Sequence, residues 1–379
     1  ALPALPGTII GGALAGGLGQ VFLPAAQVVG WVAWLFTSYL LLMVRVFAVY
    51  PPVESGPVNT TLILLYYSTL ALIIWAGSQR RKLAELIPGA LNSFPGLSVR
   101  WVVFPLAVLA VLVLAAATMP DDNLRVSFLD VGQGNAILIQ KGSQQVLVDG
   151  GPDPRAISLA LGTEMPFWDR TIDLVVLTHP HADHLTGLVA VLKRYQVKRV
   201  LYPDSADDSL LYNEWSSIIE EKDIARTPAR AGQRIRLGEA LIEVLNPQMS
   251  LLTGTESDMD NNGVVLRLEM DEVSFLLTAD IMREAELALI TRRAELTSTV
   301  LGVAHHGSST STTAGFLAVV DPRLAVISLD KDNRFGHPHL EVWQRLAQKL
   351  GQGNIYRTDE RGIIEFTTDG NRLWVKVER

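Results

Sequence analysis

The chain has 379 residues, a formal net charge of −7 and no cysteine. That length implies two or three domains, and without thiols neither a disulfide framework nor thiolate metal ligation is available. The acidic balance excludes a chain coated uniformly with basic groups for nucleic acid, but not a local basic groove.

Residues 1–119 are very apolar and almost free of acids, while 120–379 carry the mixed charge of a soluble domain. Within the first part, 61–77 and 101–119 have no charge at all, and each approaches the roughly twenty residues that cross a bilayer. Residues 28–50 carry only Arg45, and 4–24 are apolar and Gly-rich. Three or four transmembrane helices are therefore expected. The basic residues Arg80, Arg81, Lys82 and Arg100 fall between the spans at 61–77 and 101–119, whereas 51–59 has one Glu and no Lys or Arg. The positive-inside rule then makes this a multi-pass protein of the cell (inner or plasma) membrane, with everything after Pro120 outside the cytoplasm. No charged n-region marks a signal peptide. The chain opens at Ala1 inside an apolar run, as a fragment of a longer protein would.

The soluble part alternates strands and helices. Strands are expected at 124–129 and 136–139, around a Gly-driven turn, and at 145–148, ending in Asp149-Gly150-Gly151. A helical pattern begins at Ala156. The apolar, β-branched run 172–177 reads as a buried strand that delivers Thr178-His179-Pro180-His181-Ala182-Asp183-His184 into a loop, with a helix from Leu185 to Tyr195. Later strands are expected at 197–202, as a short pair within 235–245 around Gly238-Glu239, and at 264–268, 273–277, 300–304 and 324–328, with helices at 210–221, 282–294 and 340–350. Short strands near 355, 362–366 and 373–377 close the chain.

His179 and His181 are two apart, so in extended chain both rings point to one side. Asp183 and His184 turn the other way as the helix begins. This geometry suits two adjacent metal ions, and imidazole with carboxylate is a donor set that zinc or manganese accepts. Other strands also end in potential ligands: Asp149, Asp280, His305-His306 and the loop around His337. Singly, each has a bland reading, such as a turn former at Asp149 or a helix N-cap at Asp280. Together they mark the rim of a sheet sandwich where a site forms.

In this order the motifs resemble the metallo-β-lactamase fold, an αββα sandwich. Phe128-Leu129-Asp130-Val131-Gly132-Gln133-Gly134, Val148-Asp149-Gly150-Gly151, Asn261-Asn262, Ala304-His305-His306-Gly307-Ser308 and Asn333-Arg334-Phe335-Gly336-His337-Pro338 resemble the C-terminal domain of the ComEC family of DNA-uptake channels. Asn135 and Gly263 depart from that pattern, standing where Asp and Ser are usual. The resemblance implies an α/β hydrolase domain over 120–379, behind the all-α tail of a competence membrane region at 1–119.

It also implies a site. Two divalent ions, zinc or manganese, are expected as cofactors. His179 and His181 hold one ion, with Asn262 as a weak substitute for a third His. Asp183, His184 and one of His305 or His306 hold the other, and Asp280 bridges. Asp183, Asp149 and His337 form the catalytic set: Asp149 orients a ligand His, and His337 protonates the leaving oxygen or holds substrate. Ser308 and Asn333 donate to phosphate, and Lys193, Arg194, Lys198 and Arg199 are candidate phosphate contacts. The expected function is a metal-dependent nuclease that degrades one strand of incoming DNA during natural transformation. Its partners are then DNA, the bilayer and other competence proteins. The alternatives are a hydrolase of an extracytoplasmic ester of the phosphorylcholine or small-molecule type, and a transport component that guides DNA without cutting it.

Overall fold

The computed structural model describes residues 122–379 apart from 167–168 and 205–206, together with eight helical residues scattered between Gly16 and Ser38. The chain divides into two units, Ala1–Ser55 and Gly56–Arg379, and the hydrolase-like part lies in the second. The membrane spans expected within 1–119 lie outside the described residues, among which no helix is long and apolar enough to cross a membrane.

In chain order the elements are β1 (Leu124–Phe128), β2 (Ile137–Lys141), β3 (Gln144–Val148), α1 (Pro154–Glu164), β4 (Thr171–Ile172), β5 (Leu174–Val176) and α2 (Ala182–Arg194). There follow β6 (Gln196–Val197), β7 (Arg199–Tyr202), α3 (Leu210–Glu221), β8 (Ala225–Pro228), β9 (Arg234–Leu237), β10 (Ala240–Asn246) and α4 (Asp258–Asn261). Then come β11 (Val265–Met270), β12 (Val273–Leu277), α5 (Arg283–Thr291), β13 (Val300–Gly302), a 3₁₀ turn (Ala304–Gly307), α6 (Ala314–Val320) and β14 (Leu324–Ile327). The chain closes with α7 (Leu340–Leu350), β15 (Ile355–Arg357), α8 (Thr358–Arg361), β16 (Ile364–Thr368) and β17 (Leu373–Val377).

Two sheets carry the architecture, in the orders β17-β16-β1-β2-β3-β5-β7-β8 and β15-β14-β13-β12-β11-β10-β9. Their central strands, such as β3, β5 and β12, are buried on both faces, as sheets covered on both sides require. Leu124, Val126 and Phe128, then Val146 and Val148, face Leu266, Leu268, Phe275 and Leu277 of the other sheet in one buried core. The alternate residues Leu138, Leu147 and Val175 pack outward with residues of α1, α2 and α3. Leu276, Leu301 and Ala325 do the same with α5, α6 and α7. The result is the expected αββα sandwich. Phe366 is pinned across the inner core between Phe128 at 5.9 Å and Phe275 at 5.8 Å, ring centre to ring centre.

Strands β3, β5 and β7 run parallel in the first sheet, and β12 to β15 in the second. The segments leaving the C-terminal ends of β3, β5, β12, β13 and β14 carry Asp149, His179–His184, Asp280, His305-His306 and His337. Sites in such sheets form beyond the carboxyl ends of the strands. Three local expectations differ from the structure. The helix after the His cluster starts at Ala182, not Leu185, so Asp183 and His184 sit in its first turn. The run 172–177 breaks at Asp173 into β4 and β5, because the Asp173 carboxylate accepts from the Gln145 N–H at 2.9 Å. The short α6 and β8 were not anticipated, being too brief for periodicity to register.

Candidate metal centre

The site begins at a close approach of two backbones. The Gly150 N–H donates to the His184 carbonyl at 2.9 Å and the Gly187 N–H to the Gly151 carbonyl at 2.9 Å. A Cβ on Gly187 would lie 1.8 Å from the Gly150 oxygen. Only glycine lets the β3 loop lie this close to α2, and the contact sets Asp149 beside His184.

Asp149 is fully buried. Its carboxylate accepts from the Thr178 N–H at 2.8 Å, the Thr178 hydroxyl at 2.7 Å and His184 Nδ1–H at 2.7 Å. Having given its proton to Asp149, the Thr178 oxygen accepts from His179 Nδ1–H at 3.0 Å. His306 Nδ1–H donates to the Ser328 carbonyl at 2.8 Å. These partners assign the proton of all three imidazoles to Nδ1 and turn the Nε2 lone pairs inward, as outer hydrogen bonds do for metal-ligating histidines.

The inward atoms form two adjoining groups. His184 Nε2 is 3.3 Å from Asp280 Oδ2 and 3.8 Å from Asp183 Oδ2. His306 Nε2 is 3.4 Å and 3.6 Å from the same two oxygens. In the second group, Asp260 Oδ1 lies 3.4 Å from His179 Nε2 and 3.1 Å from His181 Nδ1. Within each group the ligand atoms lie within 4.8 Å of one another. The His179 and His184 rings, one from each group, are 4.0 Å apart between centres.

These residues fit metal ions. His179 Nε2, His184 Nε2, His306 Nε2 and Asp260 Oδ1 are buried without a hydrogen-bond partner. Each such orphan costs about 1–3 kcal/mol, and lone pairs facing carboxylate oxygens repel unless a cation lies between them. Nitrogen and oxygen donors without a thiolate are the set for a borderline or hard divalent ion.

Without an ion, protons answer the same charge imbalance. Burial opposes the charged form of His306, but Asp280 and Asp183 outweigh it and raise the imidazole to about 10. Burial likewise disfavours charge on His184, and Asp280 and Asp149 override it to hold the group well above its ordinary value. Burial would raise Asp280, yet His306 and His184 hold it well below the usual carboxylate range. His179 behaves oppositely: burial, then His184, push it down to about 3. Backbone strain gathers here too. Of nine described non-glycine residues with positive φ, four are Asp149, Ala279, His305 and His306, a left-handed conformation that costs energy and clusters at functional sites.

Several expected residues stand elsewhere. Asn262 does not face the ions: its Oδ1 accepts from the Leu252 N–H at 2.8 Å, and its Nδ2 donates to the carbonyls of Leu252 at 2.8 Å and Asp258 at 2.7 Å. Asp260, two residues earlier, faces His179 and His181 instead. Of the 305–306 pair, His306 joins the cluster. His305 stays at its edge, with Nε2 4.0 Å from Asp280 and Nδ1 3.1 Å from the Thr310 hydroxyl. Asp280 directs Oδ2 at His184 and His306, while Asn135 Nδ2 donates to its Oδ1 at 3.4 Å.

Ser308 is buried, and its hydroxyl oxygen accepts from the Thr310 hydroxyl at 3.0 Å, which braces the loop. Asn333 is likewise consumed, accepting from the His337 N–H and donating to the His337 carbonyl, both at 2.9 Å. Of that basic run, Lys193 and Lys198 pair with Glu214 at 2.6 Å and Asp173 at 2.7 Å. His337 is pushed down to about 4 by burial and by His306, His339 and His305. In the metal-free site this favours the uncharged imidazole at neutral pH.

Two contributors escaped the sequence reading. Asp260 sits in the run Asp258-Met259-Asp260-Asn261-Asn262, where a carboxylate was the better donor than the amide chosen by motif. Thr178 directly precedes the histidines at a strand end, the one position from which its hydroxyl reaches both Asp149 and His179. Beside Asp183 a cleft of about 500 Å³ opens between the start of α2 and the loop carrying Asp330, Arg334 and Phe335.

Comparison with known proteins agrees with this geometry. The metallo-beta-lactamase superfamily model matches residues 129–330. ComE operon protein 3 of Bacillus subtilis is 28% identical over 258 residues, covering 64% of this chain and 32% of its own. Recombination protein 2 of Haemophilus influenzae is 30% identical over 279 residues, covering 73% of this chain and 33% of its own. Competence protein ComA of Neisseria gonorrhoeae is 29% identical over 279 residues, covering 71% and 36%. The chain thus spans about a third of the length of the curated relatives it matches. With half its length matched, with its strands in an αββα sandwich and with its His and Asp residues collected at one rim, the chain belongs to the metallo-beta-lactamase superfamily and is a homologue of the ComEC-type competence proteins.

Proposed function

We propose that the domain is a divalent-metal-dependent phosphodiesterase, a nuclease that cuts one strand of incoming DNA outside the cytoplasm, tethered there by membrane spans within residues 1–119. The observation that carries this reading is the pair of adjoining donor groups whose buried Nε2 and Oδ1 atoms lack any partner. His179, His181 and Asp260 would hold one ion, and Asp183, His184, Asp280 and His306 the other. Bound there, two such ions would supply an acidified water and neutralise charge on a phosphodiester.

The chain's own groups do the rest. Asp149 fixes His184 directly and His179 through the Thr178 hydroxyl, so both rings keep their lone pairs inward. Asp183 lies 35% exposed beside the cleft, the carboxylate of its group nearest to an entering substrate. The neutral His337 offers a hydrogen bond to a phosphoryl oxygen near His306. DNA as substrate is supported by the competence relatives, and the donor chemistry equally suits manganese or zinc.

The test is cleavage of a single-stranded oligodeoxynucleotide with added manganese, wild type against His181→Ala. Metal-stimulated cleavage that the substitution abolishes supports the reading. Protein that holds no divalent metal and cuts nothing, or a variant that cuts as well as wild type, refutes it.

A further inference from the structure

The loop after β14 places an exposed aromatic ring next to the metal-binding groups. Phe335 is 57% exposed, the most exposed of the described aromatic residues of the domain, with Trp374 next at 48%. Its ring is not isolated. It lies 5.8 Å from the His337 ring at an interplanar angle of 23°, and His337 lies 6.4 Å from His306 at 19°. Three near-parallel rings thus step from solvent to a residue of the second donor group, at separations within the range of aromatic contacts. Phe335 and Asp183 also line the same cleft of about 500 Å³.

The loop is held firmly enough to present the ring. Asn333 braces it through two hydrogen bonds to the His337 backbone, each 2.9 Å. The His339 N–H donates to the Gly307 carbonyl at 2.9 Å, tying its far end to the turn that carries His306. An exposed phenyl costs solvation free energy, roughly 25 cal/mol per Å² of apolar surface left in water. Its presence beside a catalytic cleft therefore asks for an apolar face in the ligand.

The neighbouring charges narrow the ligand further. The Arg334 guanidinium lies 5.8 Å from the Phe335 ring centre, which disfavours a second cation such as a quaternary ammonium on that face and favours an anion alongside. Asp330 and Asp332 line the same cleft and keep a phosphate from settling against them. A flat apolar face joined to a phosphate is what a nucleotide of an unpaired strand offers. Aromatic side chains bind such bases without sequence preference, and arginine tracks the backbone.

We infer that Phe335 is a stacking platform for an unpaired base of the substrate strand, with Arg334 holding the adjoining phosphate, so that the neighbouring phosphodiester is delivered to the groups around Asp183. The site thus takes a single strand and not a duplex, whose paired bases cannot reach the ring. This inference rests on the nuclease reading above and specifies its substrate. Phe335 is a positioning residue and touches no reacting atom.

The experiment compares the wild-type chain with Phe335→Ala and Phe335→Trp, loaded with manganese, on a single-stranded oligodeoxynucleotide and on an abasic strand of equal length. Loss of one base–aromatic stack is expected to raise KM on the normal strand by roughly 5- to 150-fold, with kcat kept within about twofold. Trp at this position restores KM, and on the abasic strand all three proteins behave alike. Equal effects of Phe335→Ala on both strands, or none on either, overturn the platform while cleavage itself upholds the nuclease. Binding of phosphorothioate versions of both strands, read by fluorescence anisotropy, separates the two claims in the other direction. Base-dependent binding that needs Phe335, without any cleavage, keeps the platform and discards the nuclease. Preference for a choline phosphate ester over either strand overturns both.

Discussion

Replacing Asp149 by Asn is a nearly isosteric change that reverses the two hydrogen bonds its Oδ2 accepts, from His184 Nδ1–H and from the Thr178 hydroxyl. The carboxylate is fully buried and accepts three bonds of 2.7–2.8 Å. An amide keeps one oxygen for the Thr178 N–H, but sets an NH₂ against His184 Nδ1, where Asp149 Oδ2 now accepts. His184 can meet that donor only by moving its proton to Nε2, which points at Asp280 Oδ2 3.3 Å away. The lone pair needed for the second ion is then lost. Removing an outer partner of a ligating His weakens metal binding by about 10- to 100-fold, or about 1.4–2.7 kcal/mol. His179 keeps its acceptor, because the Thr178 oxygen remains available, so the first donor group should be spared. Titration of metal-free protein with manganese should show one weakened site and one unchanged. The ¹⁵N shifts of His184 should report the proton on Nε2 and not Nδ1. Unchanged affinity with the Nδ1–H form retained would refute the orienting role.

The backbone contact behind that geometry is equally testable. Gly187→Ala puts a Cβ against the Gly150 carbonyl, and the domain should lose about 1–3 kcal/mol or more in urea unfolding, as overpacking costs; a change below a few tenths would contradict the contact. Asn262→Ala should destabilise the domain by about 1–3 kcal/mol through the buried partners it leaves unpaired, yet keep the wild-type number of bound ions. Metal loss in that variant would reinstate Asn262 as a ligand. For metal-free protein the pH dependence of stability has a defined shape. His306, raised to about 10, contributes stability that is complete below about 6.5 and fades as pH rises toward 10. His179, lowered to about 3, makes stability fall as pH drops from about 6.5 toward 3. Bound metal reverses the alkaline arm, since ligation needs the unprotonated imidazoles. Thermal melts across pH 4–10, with and without metal, check both arms, and parallel profiles would contradict them.

Much of this was legible in the residues themselves. The runs 145–148 and 273–277 are apolar at every position that matters, so their strands could be read directly, and the density of ligands from His179 to His184 announced a site without any fold. Asp280 and the pair His305-His306 stood out because each follows an apolar strand, though nothing local chose between the two histidines. Asp260 did not, because it lies in a single helical turn after a loop, where nothing periodic marks which acid faces inward. Asn262 was misread, and the bonds of Ser308 and Asn333 within their own loops were not foreseen, because a polar residue beside a site serves its loop as readily as a ligand and only the hydrogen-bond partners distinguish the two. The pairing of β16 with β1 joins the end of the chain to its first strand. That long-range choice leaves no local signal. The short α6 depends on its cap, since the Thr313 hydroxyl accepts from the Phe316 N–H, and seven apolar and small residues say little else.

The central claim is that two groups of side chains each hold one divalent ion. The most direct measurement is the number of ions bound per folded chain after equilibration with manganese or zinc, for wild type, Asp260→Ala and His306→Ala. Two ions in wild type and one in each variant are predicted, with the surviving ion at the untouched group. A wild-type chain that retains none, or variants that both keep two, would contradict the account.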